Sequence, residues 1–124
     1  MKHSTDTLSP CPDSPNCVST QSTDTRHKIE PIEYKMSSLD AINKIINIIK
    51  STERTKIISQ DENYLKIEFK SKIFRFVDDV EFIFDDDNKI INFRSASRIG
   101  YGDLGVNRKR MERIRILFNV VKLK

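Results

Sequence analysis

At 124 residues and 14.5 kDa the chain fits one domain, long enough to bury a single core and too short for two. Its composition, 37% hydrophobic and 32% charged, is that of an ordinary water-soluble globular protein, and no stretch is apolar enough for a membrane span or an export signal. The formal charge of +4 comes from 22 basic and 18 acidic residues interspersed along the chain, with no RNA-binding aromatic signature or zinc-finger spacing, so nucleic acid is not the expected partner. As written the sequence reads as cytoplasmic; a trimmed leader would make it exported.

Residues 1–26 are rich in Ser, Thr and Pro, with Pro10, Pro12 and Pro15 close together, and read as an extended arm laid along the outside. Residues 27–124 then form a single α+β domain. It opens with an extended piece over Lys28 to Tyr34. SSLDAINKIINIIKS follows, with Leu39, Ile42, Ile45, Ile46 and Ile49 at helical spacing, Ser37 or Ser38 as cap and Asp40 well placed in the first turn. Four strand-like runs come next: Lys56 to Gln60, YLKIEFK, IFRFVDDVEFIF and KIINFRSAS, the second alternating cleanly between apolar and charged residues. A final helix from about Asn107 carries Met111, Ile114, Leu117, Phe118 and Val121 as its apolar stripe. The expected fold is therefore an antiparallel meander of about four strands, packed on one face by the two helices.

Residues opposite each other in antiparallel strands share a face, which lets the register be pushed further. A turn at Ser71 and Lys72 sets Phe69 opposite Phe74, Ile67 opposite Phe76 and Leu65 opposite Asp78. A turn over Asp85 to Asn88 sets Phe82 opposite Ile91, Val80 opposite Phe93, Asp78 opposite Ser95 and Asp79 opposite Arg94. Asp78 thus falls on the helix-covered face. Arg75, Asp79, Glu81, Arg94 and Arg98 share the other.

A carboxylate on a covered face needs charge or hydrogen bonds to compensate its desolvation. Asp78 is accordingly either an internal polar staple, served by Ser95, Ser97 or an arginine, or a ligand-binding or catalytic acid. The Arg94, Asp79, Glu81, Arg75 and Arg98 set is either a lattice of exposed ion pairs or a bidentate clamp for a carboxylate or phosphate. All three glycines fall in RIGYGDLGVN, which matches no phosphate-binding fingerprint. Asn107 can cap the last helix. Arg108, Lys109 and Arg110 then put positive charge at the end of the helix whose dipole is already positive. That placement calls for a negative group there, either Asp103 and the strand carboxylates or an external anion. In CPDSPNC, Cys11 and Cys17 can form a small disulfide loop, remain free thiols or, with His27, bind zinc; the spacing fits no standard zinc motif, and no metal or other cofactor is expected. A lone histidine such as His27 reads as a structural hydrogen-bonder.

CPDSPNCVSTQ, His27 with Pro31, FRFVDDVEF and RSASRIGYGDLGVNRKRMERIR together resemble the family known as domain of unknown function 1499, over about Cys11 to Phe118. The resemblance highlights Cys11, Ser14, Asn16, Cys17, Val18, Ser19, Asp78, Asp79, Arg94, Ser95, Ser97, Arg98, Gly100, Asp103, Gly105, Asn107 and Arg110, with Thr20 replacing a frequent serine. It implies a shared site and brings no established activity. The reading that results is a non-enzymatic binding or accessory module, whose site for a small anionic or polar ligand is built from Arg94, Ser95, Ser97, Arg98, Asp103, Asn107 and Arg110. One alternative is a small enzyme of hydrolase type, using Asp78 or Asp79 as acid or base with Arg94 or Arg98 stabilising negative charge. The other is a structural partner-binding domain, which would display an exposed apolar patch.

Overall fold

The computed structural model describes residues 7–99 and 105–120. Strands β1 (Cys17–Ser19) and β2 (Ile32–Glu33) precede helix α1 (Ser38–Lys50); β3 (Thr55–Gln60), β4 (Tyr64–Lys70), β5 (Val77–Asp85) and β6 (Ile90–Ser97) form the meander, and helix α2 (Val106–Val120) ends it. All six strands belong to one antiparallel sheet in the order β1-β6-β5-β4-β3, with β2 also pairing along β6. Both helices pack on one face of this sheet, so the expected α+β architecture is the one found.

Helix α1 begins where Ser37 Oγ accepts the amide of Asp40 at 3.1 Å. It buries Ala41, Ile42, Ile45, Ile48 and Ile49, whereas Leu39, assigned to the stripe from its spacing, faces solvent. Leu39 sits in the first turn, before the helix reaches the sheet. The core closes between these residues, Met111, Ile114 and Phe118 of α2, and Leu65, Ile67, Val80, Phe82, Ile91 and Phe93 of the strands. Val121 of the expected α2 stripe lies outside the described residues.

Part of the Ser/Thr/Pro-rich stretch enters the sheet. Cys17, Val18 and Ser19 pair with Ala96, Ser95 and Arg94, and Val18 joins the core. Upstream of it, Leu8 packs with Tyr64 and Ile83 in a small cluster on the other face of the sheet.

Both hairpin registers differ from expectation. Asp78 pairs with Phe69 instead of Leu65, a slip of four residues, and with Ser97 instead of Ser95, a slip of two. A two-residue turn at Ser71 and Lys72 would need positive φ where neither residue favours it. The chain forms a longer loop instead, closed by Ser71 N–H donating to Phe76 O at 2.9 Å and Phe76 N–H donating to Ser71 Oγ at 2.8 Å, with the left-handed residue at Arg75 (φ 58°). Phe74 and Phe76, expected in the sheet, are left outside it. In the second hairpin Asp85 pairs with Ile90, Asp85 Oδ1 accepts the Asn88 amide, and Lys89 takes the positive φ. Because side chains alternate with period two, slips of four and two leave the residues that stay in the strands on their expected faces.

Candidate functional site

The residues expected to form one site divide between the two faces of the sheet. Asp78, Ser95, Ser97, Asn107 and Arg110 meet on the helix side; Asp79, Arg94 and Arg98 lie on the other. Asp78 and Asp79 are consecutive in β5, so their side chains must diverge. Asp103 lies outside the described residues, as do Gly100 and Gly102.

On the helix side, Asp78 is nearly buried and its Oδ2 accepts from Arg110 Nη2 at 2.6 Å. The Arg110 guanidinium also lies 4.7 Å from the centre of the Phe69 ring, directly across β4 from Asp78. Its other terminal nitrogen donates to Asn107 Oδ1 at 2.8 Å and Ser95 Oγ at 3.2 Å. Ser95 Oγ in turn donates to Asn107 Oδ1 at 2.6 Å, and Asn107 Nδ2 donates to Ser97 Oγ at 3.0 Å and Asn16 O at 3.1 Å. Asn107 is therefore not the cap of α2. The helix starts one residue earlier, at Val106, after Gly105 in a left-handed conformation (φ 79°), and the Asn107 side chain turns inward to satisfy buried partners.

Asn16 extends the network to the arm. Its Nδ2 donates to Ser97 O at 3.0 Å and Ile99 O at 2.7 Å, while its Oδ1 accepts from Ser14 Oγ. The arm is also clipped by the disulfide between Cys11 and Cys17, which takes both sulfurs out of play as thiolate ligands. His27 is buried, with Nδ1 3.1 Å from Asp24 Oδ2 and Nε2 2.8 Å from Ser14 O, a structural hydrogen-bonding role. Among the described residues, no group of three or more His, Cys, Asp or Glu side chains is arranged to hold a metal ion.

Two of the three cations at the start of α2 are answered from within. Arg110 has Asp78, and Arg108 donates to the carbonyls of Lys28 at 2.9 Å and Arg26 at 3.1 Å. Further along, Arg115 donates to the carbonyls of Pro31 and Glu30, tying α2 to the segment that carries β2.

On the opposite face Arg98 grips Asp79 through two bonds, Nε to Oδ2 at 2.8 Å and Nη2 to Oδ1 at 2.9 Å, and reaches Glu68 at 2.7 Å. The Arg98 hydrogen bonds hold the Asp79 carboxyl below the usual aspartate range. Arg94, expected opposite Asp79, pairs in register with Glu81 and Ser19. Arg75, placed on this face from the sequence, is in the β4–β5 loop instead. Glu81 is engaged by Tyr64, whose hydroxyl donates to it at 2.5 Å, and burial together with that bond pushes the Tyr64 phenol well above its ordinary range. Arg94 makes one long bond, from Nη2 to Pro10 O at 3.4 Å, and its buried Nε has no hydrogen-bond partner. Pro10 lines a cavity of about 520 Å³ between the arm and Ser19, Gln21 to Asp24 and His27.

One buried cation was not legible as a site residue. Lys44 lies on the apolar side of α1, its ammonium 4.5 Å from the centre of the Phe118 ring. It lines a second cavity, of about 500 Å³, between Glu30 to Met36 and α2. Its position one helical turn from Ala41 and Ile48 is the only sequence signal, and lysines on surface helices commonly occupy such positions with their ends in water.

These features define a small α+β domain whose last helix and N-terminal arm are fastened to one sheet end by a buried polar network. The chain belongs to the family described as protein of unknown function (DUF1499), whose model matches residues 7–118. The match spans the arm, the DDVE strand and the RSASR segment from which the resemblance was read. A comparison with curated proteins finds no match.

Proposed function

We propose that this protein is a non-enzymatic binding or accessory module, which takes a small anionic or polar ligand beside Arg94 on the arm-covered face of the sheet. One observation carries the reading. Of Arg94, Arg98 and Arg110, two are committed to Asp79 and Asp78, and Arg94 alone has a buried guanidinium nitrogen without a partner. A buried donor left unsatisfied costs about 1–3 kcal/mol, which an acceptor group on a ligand would recover. Pro10, whose carbonyl accepts the one Arg94 bond, also lines a cavity with room for a small molecule. Against the hydrolase alternative, Asp78 is paired with Arg110 and Asp79 with Arg98, so each candidate acid or base already has a partner among the described residues.

Thermal unfolding against inorganic phosphate, citrate and nucleotides tests this. A ligand at a hundred times its Kd adds about 2.7 kcal/mol and raises Tm measurably. We expect a shift with at least one anion that Arg94→Gln abolishes and Lys44→Gln leaves intact. No shift across the panel would reject the proposal; a shift lost only in Lys44→Gln would move the site to the second cavity.

A further inference from the structure

We propose that the β4–β5 loop is a docking element for an anionic lipid surface. Every residue from 70 to 76 is exposed. At the tip, Ile73, Phe74 and Phe76 are 78%, 72% and 48% exposed, and the two phenylalanine rings stack on each other at 5.5 Å instead of on the core. Exposed apolar residues scattered singly are ordinary; three in one loop are not. Ile99 adds a fourth exposed apolar side chain at the same end of the sheet, where the amide of Arg98 bonds Val77 O.

The surrounding charge is predominantly positive. Lys70 ends β4, and Lys72 and Arg75 lie within the loop, which has no carboxylate. Arg54 and Lys56 line a shallow hollow together with Lys70 and Arg75. Among the described residues the nearby acids are paired, Glu53 with Arg54 at 3.0 Å, Glu68 and Asp79 with Arg98 at 2.7 and 2.8 Å, and Asp78 with Arg110 at 2.6 Å, so Lys56, Lys70, Lys72 and Arg75 supply the excess positive charge. Apolar tips ringed by cations match the layering of a membrane interface, where aromatic and aliphatic groups sink to the acyl boundary and lysine and arginine stay among anionic headgroups.

Two further features favour a lipid surface over a protein. A stable protein interface uses about 20–30 residues a side, far more than one loop offers, whereas a fluid interface accepts a small convex tip. The loop is also fastened in its displayed form by the Ser71 to Phe76 hydrogen bonds and the left-handed Arg75, so docking does not have to order it.

Flotation of the whole chain with phosphatidylcholine vesicles, alone or containing about one-third phosphatidylserine, is the test. We expect binding to the anionic vesicles, at least about 10-fold weaker binding to the neutral ones, and release at high salt. Phe74→Ser with Phe76→Ser should lower partitioning by about 10-fold or more at unchanged Tm, since both rings are outside the core. Should that pair unfold the protein, Lys70→Gln with Lys72→Gln carries the same test through loss of the anionic preference. No vesicle binding, or binding indifferent to both pairs, overturns the proposal. So does concentration-dependent self-association, abolished by the phenylalanine pair, in a chain that ignores vesicles.

Discussion

Arg110 in α2 donates to Asp78 in β5 at 2.6 Å while its guanidinium covers the ring of Phe69, so one side chain ties the last helix to two neighbouring strands. Both partners are largely shielded from water, with side-chain exposures of 17% and 11%. Removing one member of such a pair strands the other charge in a poorly hydrated place, at a cost of about 3–5 kcal/mol. Asp78→Asn and Arg110→Met should each show this loss in urea unfolding. Asp78→Leu combined with Arg110→Met should be less damaging than the sum of its parts, because no charge is left unpaired. Additive losses would show that the pair is not coupled.

The Asp79 carboxyl should leave its mark on acid stability. Arg98 depresses its pKa in the folded protein below the ordinary 3.8, so the unfolded chain binds the proton more readily. The stabilisation is therefore present above the unfolded value, near pH 4, and is lost as pH falls through that value toward the folded one. Asp79→Asn should flatten the acid limb of the stability curve and leave Asp78, on the other face, undisturbed. A limb identical to that of the unaltered protein would contradict the Asp79 to Arg98 assignment.

The disulfide between Cys11 and Cys17 closes a short loop, six residues apart in sequence, for which the chain-entropy argument gives about 2 kcal/mol. Reduction with dithiothreitol should lower Tm accordingly and loosen the arm, detected as faster amide exchange at Asn16 and Val18. The core of the sheet, with its Ile67, Val80 and Phe82, should keep its protection. An unchanged Tm on reduction would indicate that the Asn16 hydrogen bonds hold the arm without help.

Much of this was legible in the chain because period and polarity are local properties. Alternation assigned Asp78 to the covered face and Arg94 and Arg98 to the other, and those assignments survive even though both hairpins slip, since the slips are of even length. The two helices, the four-strand meander, a serine cap at Ser37 or Ser38 and the structural role of His27 follow from the same kind of reasoning, whereas strand β1 inside the arm does not.

What was not legible depends on distance. Whether the chain turns at Ser71 or runs on to Phe76 is decided by which loop satisfies its own amides. A spacing rule cannot anticipate that outcome, which moved two phenylalanines from the sheet to the surface.

The bonds that fasten Asn107, Asn16 and Arg110 to the sheet end and the arm reach 10 to 91 residues in sequence, and nothing local distinguishes a helix-capping asparagine from one that anchors a sheet end. The sequence by itself determined which face of the sheet each strand residue would take, because that needs only the two-residue period of a strand. The tertiary structure alone decided which arginine each carboxylate would take: Asp78 went to Arg110 and Asp79 to Arg98, leaving Arg94 with an unspent donor. Charges pair by proximity in space, and the packing of α2 and the loops against the sheet sets that proximity.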